Sequence, residues 1–197
     1  MQKKLSSQID FLMEIDEMKR VIRRNLVADG SRRENDAEHS WHFAVAAMVF
    51  AEYAQSAQVD ISRAIRLALV HDLVEVYAGD TFAYDKEGYE TKNQRERDAA
   101  DKLFSILPEE QGREIRALWE EFEDMETETS MYANSIDRIM PLLLNYRTEG
   151  YTWRLRDDIN SESVYARMAP IKEGMPPLWE AVCELVEDSV KKGYLKR

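Results

Sequence analysis

The chain has 197 residues, 44% of them hydrophobic, a formal charge of −11, and only seven glycines and five prolines. That length is enough for one domain with a sizeable core, and the composition excludes disordered and fibrous chains and argues against a loop-rich all-β fold. The acidic balance disfavours tight, sequence-independent binding to a nucleic-acid backbone, while leaving room for a small phosphorylated substrate in a locally positive pocket.

Residues 5–27 carry Ile9, Leu12, Met13, Ile15, Met18, Ile22 and Leu26 near helical spacing and predict an amphipathic helix, broken at Asp29-Gly30-Ser31. Asn35 followed by Glu38 reads as a capping box opening a helix over about 36–56. Asp60 caps the next helix, about 61–77, which ends near Gly79, and 79–92 reads as a loop. Helices follow at about 92–106, after Pro108 to about 124, and at 129–149 up to Gly150. Two more are expected near 161–169 and 176–193, after an irregular stretch. Neither an internal repeat nor a linker is visible, so residues 1–197 are expected to form a single all-α domain. Cys183 is the only cysteine, the N-terminus shows no signal peptide, and no apolar run reaches the roughly 20 residues that cross a bilayer; a soluble, cytoplasmic protein is expected.

The three histidines, His39, His42 and His71, stand in helical segments, and Asp72 follows His71 directly. His39 and His42 share a helix face, and His42 sits among apolar residues where a histidine is more often a core residue than a ligand. His71 and Glu75 share a face one turn apart, with Asp72 about 100° away. Adjacent residues reach one metal only where a helix end lets their side chains converge. Taken alone, His71-Asp72 fits a helix C-terminus with its histidine set against the dipole. Asp137 lies on an apolar face with Ala133, Met140 and Leu144, where an ionised carboxylate needs a cation: a metal, or an arginine such as Arg138 or Arg147. Pro141, four residues on, cannot donate to the Asp137 carbonyl and should kink or open the helix. Two imidazoles and two carboxylates from separate helices can hold a divalent ion.

The blocks Arg33-Glu34-Asn35-Asp36-Ala37-Glu38-His39, His71-Asp72-Leu73-Val74-Glu75-Val76-Tyr77-Ala78-Gly79-Asp80-Thr81 and Asn134-Ser135-Ile136-Asp137-Arg138 occur in the order H…HD…D. Over roughly residues 15–190 the chain resembles the HD-domain family of metal-dependent phosphohydrolases, in its small branch of 5′-deoxynucleotidase-like enzymes. The resemblance implies an all-α HD-domain helical bundle and metal ligands His39, His71, Asp72 and Asp137. It implies Glu75 as the residue activating water, Asp80 as a sugar-contacting or catalytic residue beside Thr81, and Arg24 as a substrate contact. Asn25 stands where those enzymes carry a tryptophan, a departure that bears on base or sugar recognition. Arg32 and Arg33 join Arg24 as candidates for the phosphate side.

No histidine separates Asp72 from Asp137, so one divalent ion is expected, with cobalt, manganese, magnesium, zinc, iron and nickel all open. The expected activity is hydrolysis of nucleoside 5′-monophosphates by a homodimer. The competing reading is a non-catalytic HD-fold protein that binds a nucleotide or partner helix around a structural metal. Glu75 and Asp80 argue against it, because a structural site needs neither.

Overall fold

The computed structural model describes residues 3–197. Helix α1 (Lys3–Glu14) runs into a 3₁₀ turn (Ile15–Lys19), and the chain then extends into a hairpin of β1 (Ile22–Leu26) and β2 (Arg33–Asn35). The strands pair antiparallel, Ile22 opposite Asn35 and Leu26 opposite Arg33. This corrects the helix expected over 5–27. The apolar spacing fits either geometry, but from Ile22 burial alternates with period two: Arg23 and Asn25 turn inward, Ile22 and Arg24 outward.

The Asn35 side chain accepts from the Glu38 amide, and the Glu38 carboxylate accepts from the Asn35 amide. This capping box, worth about 1 kcal/mol, fixes where α2 (Asp36–Val49) begins. It therefore sets the rotation of His39 into the core. Helix α3 (Ile61–Val70) stops nine residues short of Gly79. Residues 71–74 continue in tighter i+3 bonds, Leu73 to Val70 and Glu75 to Asp72, before the single turn of α4 (Glu75–Ala78). The helix end that lets His71 and Asp72 converge is thus at His71 itself.

Helix α5 (Lys86–Phe104) starts within the stretch expected to be loop. Helix α6 (Glu109–Asp124) precedes α7 (Glu128–Arg147), which runs through Pro141 as one element. After α7, Gly150 adopts φ +74°, and a Cβ there would collide with the Tyr194 carbonyl. Helices α8 (Ser161–Met168), α9 (Ile171–Gly174) and α10 (Pro176–Lys191) complete the fold.

Helix α7 is the axis of the core. It packs on α2, α3, α6, α8, α9, α10 and β1, and Tyr132, Ala133, Ile136 and Ile139 are fully buried on it. The Tyr132 hydroxyl donates to the Ala47 carbonyl at 2.7 Å, tying α7 to α2. Polar side chains projecting from α2, α3 and α7 inside this packing need partners, since each unpaired buried group costs about 1–3 kcal/mol. Among the described residues no helix is long and apolar enough to cross a membrane.

Candidate metal centre

His71 and Asp72 from the turn after α3 and Asp137 from the middle of α7 line the floor of one cleft, and His39 from α2 lies buried against them. His39 Nε2 lies 3.0 Å from Asp137 Oδ1 and 4.0 Å from Asp72 Oδ2. His71 Nε2 lies 3.0 Å from Asp72 Oδ2 and 3.7 Å from Asp137 Oδ1. His71 Nδ1 donates to the Ala68 carbonyl at 2.9 Å, which orients the ring and turns Nε2 toward the carboxylates. Nε2 is buried and makes no hydrogen bond, because its approach to Asp72 lacks hydrogen-bond geometry. An orphaned imidazole nitrogen between two carboxylates is what a divalent cation with mixed nitrogen and oxygen ligands fits. His39, His71 and Asp72 offer ligand atoms within 4.8 Å of one another.

The charges are arranged accordingly. Burial alone would neutralise these carboxyls, yet His71 and Arg23 hold Asp72 far below the usual carboxylate range. Asp137 is likewise buried, and the His39 contact with the His71 charge holds it well below its ordinary value. Burial, helped by the Arg23 guanidinium, pulls His39 down to about 4. For His71 burial is outweighed by Asp72, and its pKa rises to about 9.

A second cluster adjoins the first. Asp36, Glu75 and Asp80 bring carboxylate oxygens within 4.8 Å of one another. Burial, then the Asp72 charge, pushes Asp36 up to about 7 and Glu75 well above the usual range; burial also raises Asp80. Arg23 bridges the clusters: its Nη1 donates to Asp72 Oδ2 at 2.7 Å and to Asp36 Oδ1 at 3.1 Å.

Arg24, Asn25, Glu75, Asp80 and Thr81 line the same cleft, with Phe82, Tyr84, Tyr89 and Trp153 forming an aromatic part of its wall. The Thr81 hydroxyl accepts from Arg95 Nη2 at 2.8 Å. Arg32 and Arg33 stay outside. Arg32 is paired with Glu38 on the surface, and the strand alternation turns Arg33 outward while Glu34 turns in. His42 stacks on Trp41 and takes no part in the cluster. The alternative partners for Asp137 are also not realised. Arg147 is exposed, Arg138 makes no ion pair among the described residues, and the guanidinium nearest Asp137 is Arg167, with Nη2 at 4.0 Å from Oδ2. Arg23, Asp36 and Arg167 are site residues that the sequence reading missed. No apolar alternation marks Arg23 as inward-facing, and nothing local marks Arg167.

A family model described as the HD domain matches residues 15–179. The chain belongs to the HD domain family. The HD pair is His71-Asp72. This HD-domain protein is 33% identical to the 5′-deoxynucleotidase HDDC2 of Mus musculus, over 68% of the chain and 65% of that protein, so the match spans just under two thirds of the mouse relative. It is 31% identical to the Xenopus laevis 5′-deoxynucleotidase HDDC2, over 79% of the chain and 77% of the relative. A crystal structure described as a predicted metal-dependent phosphohydrolase from Magnetospirillum magnetotacticum matches over all of both chains, with TM-score 0.92 and 43% identity. A conserved hypothetical protein from Pyrococcus furiosus, 20% identical with TM-score 0.62 over 89% of this chain and 99% of its own, shares the fold.

Proposed function

We propose that this HD-domain protein is a metal-dependent phosphohydrolase converting nucleoside 5′-monophosphates to nucleoside and inorganic phosphate. The observation carrying the proposal is the convergence of His39, His71, Asp72 and Asp137, with Glu75 one turn beyond, in a cleft that also holds arginines and aromatic rings. Those four residues would hold one divalent ion. Bound there, the ion lowers the pKa of a water molecule and neutralises a phosphoryl oxygen. Glu75 accepts the proton as the water oxygen bonds to phosphorus and the ester P–O bond breaks. Its elevated pKa makes it a strong base, and it needs positive charge nearby to be free of its own proton; Arg23 contributes one such charge. Asp80 returns a proton to the departing sugar oxygen, a role its raised pKa suits. Aromatic rings in the cleft wall provide surfaces for a base, and Arg24 a contact at the rim. The relatives' names favour deoxynucleotides.

The two orphaned oxygens Asp36 Oδ2 and Glu75 Oε2 favour a second reading, in which Asp36, Glu75 and Asp80 hold a second divalent ion and Glu75 is a ligand. A panel of nucleoside monophosphates, assayed with several divalent ions alongside elemental analysis, tests the activity and the ion count. Absence of metal-dependent phosphate release across that panel removes the enzymatic reading.

The protein is further proposed to act in the cytoplasm as a homodimer. Beyond its first turn, α2 exposes Trp41, Val45, Met48 and Val49 in one uncharged row, a face on which two copies can meet with no like charges in contact. Trp41→Glu is expected to yield a monomer in sedimentation velocity.

A further inference from the structure

The cleft's basic residues differ in whether the chain itself satisfies them. Arg23 is bound by Asp36 and Asp72, and Lys92 donates to Glu96 at 2.8 Å with Glu123 at 3.7 Å. On the α7–α8 side, Arg138 and Arg167 have no such counter-ions. Arg138 Nη2 reaches only Asn134 Oδ1 and Met125 Sδ, each at 3.5 Å, and its Nε is buried with no partner. Arg167, with 29% of its side chain exposed, makes one ion-pair contact, 4.0 Å from Asp137 Oδ2. It donates no hydrogen bond among the described residues. Both side chains line the cleft. Two guanidiniums turned into one cleft repel each other, and an anion between them converts that cost into two charge-assisted contacts.

The opposite side of the cleft repels anions. Asp36, Glu75 and Asp80 crowd their oxygens there; Arg23 is already committed, and Arg24 is turned outward at the rim. A phosphate dianion is therefore directed away from α4 and toward α7 and α8.

We propose that Arg138 and Arg167 form the anion subsite that receives the phosphoryl group of a phosphomonoester, with Arg167 on the side next to Asp137. This rests on the phosphohydrolase reading and adds to it the residues that grip the phosphate and the direction it faces. Arg167 and Arg138 sit on α7–α8, Glu75 on α4, so the phosphoryl group and the proton acceptor are held by separate walls.

The test uses the full chain as purified with its metal, and Arg138→Gln, Arg167→Gln and the double variant. Inorganic phosphate is the probe, titrated by calorimetry and used as a product inhibitor. Each single variant is expected to weaken phosphate binding roughly ten- to a hundredfold, and to raise KM more than it lowers kcat. Arg167→Lys is expected to recover part of the affinity, since it keeps the charge and loses the planar fork; it also serves if a glutamine variant fails to fold. Unchanged phosphate affinity in folded variants overturns the subsite, and does so while leaving the phosphohydrolase reading intact if the wild type turns over. Arginine-dependent phosphate binding by a wild-type protein that hydrolyses no phosphomonoester supports the subsite and sinks the catalytic reading.

Discussion

Two buried charged groups share this cleft and behave in opposite ways. In the first, two imidazoles alternate with the Asp72 and Asp137 carboxylates, and both carboxyls are held well below their ordinary pKa. In the second, Asp36, Glu75 and Asp80 share one paired guanidinium, Arg23, with Asp72. Arg24 and Lys92 act on Asp80 only, and all three carboxyls rise. Burial is similar, so neighbours decide the protonation state. The first group keeps its carboxylates ionised, the state that binds a cation; the second is prepared to hold and exchange protons.

Asp72→Ala attacks the contrast most directly. It removes a proposed ligand from the first group and the charge that lifts the second. Metal content is expected to fall to background and activity by at least roughly 10⁴-fold, because a bound ion contributes several kcal/mol to the barrier. Stoichiometric metal in that variant, by elemental analysis, would contradict the ligand set. Glu75→Gln tests whether the second group does proton chemistry: kcat should drop roughly 10²–10⁴-fold with metal content unchanged. A parallel fall in bound metal would make Glu75 a ligand instead.

Arg23→Met removes the charge the groups share. Breaking a buried ion pair costs about 3–5 kcal/mol, so thermal stability should drop clearly, and adding Asp36→Asn should restore part of it. Failure of the double variant to recover anything would mean that Arg23 stabilises by packing alone.

A pH series on chelated protein is expected to have a smaller effect. Glu34 and Asp36 rise from 4.5 and 3.8 to about 7, and His71 from 6.5 to about 9. Each holds its proton more tightly folded than unfolded, so its contribution to stability is lost as pH rises: for the two carboxyls from about 4 to 7, for His71 from 6.5 to 9. His39, lowered to about 4, acts oppositely but only below 6.5. From pH 6.5 to 9 the Tm of chelated protein should therefore fall. With excess divalent ion it should fall less, since metal competes with protons for the same atoms and binds more tightly as pH rises. Parallel Tm curves for the two samples would argue against binding at the histidines. Asn25→Ala, which removes a 3.3 Å hydrogen bond to the Pro141 carbonyl, should cost only about 1 kcal/mol.

The first group was readable from the sequence because its residues violate local expectation: a carboxylate on an apolar helix face at Asp137, and a capping box that dictates how His39 is turned. The family pattern then joined them. The hairpin was not readable, since its inward residues Arg23 and Asn25 are polar and leave no apolar alternation to detect. The start of α5 was hidden for a related reason: Lys86, Glu87, Tyr89, Glu90 and Thr91 are all exposed, so no buried face marks the helix. The tightening at residues 71–74 carries neither glycine nor proline; tertiary packing imposes it.

A two-stranded ribbon has little stability of its own. The β1–β2 hairpin is fastened to the body by the Asp36 amide donating to the Val21 carbonyl, by Asn25, and by Arg23 reaching into the carboxylates. The last fastening depends on ionised partners. Asp36 takes up a proton as pH falls through about 7, which weakens its half of the Arg23 clasp and leaves the Asp72 half in place. After correction for intrinsic chemical rates, hydrogen exchange on Arg23→Met should show the amides of Val27 and Asp36 losing protection while those of α7 do not. The ribbon thus makes the loss of one buried charge visible at backbone positions away from the histidines.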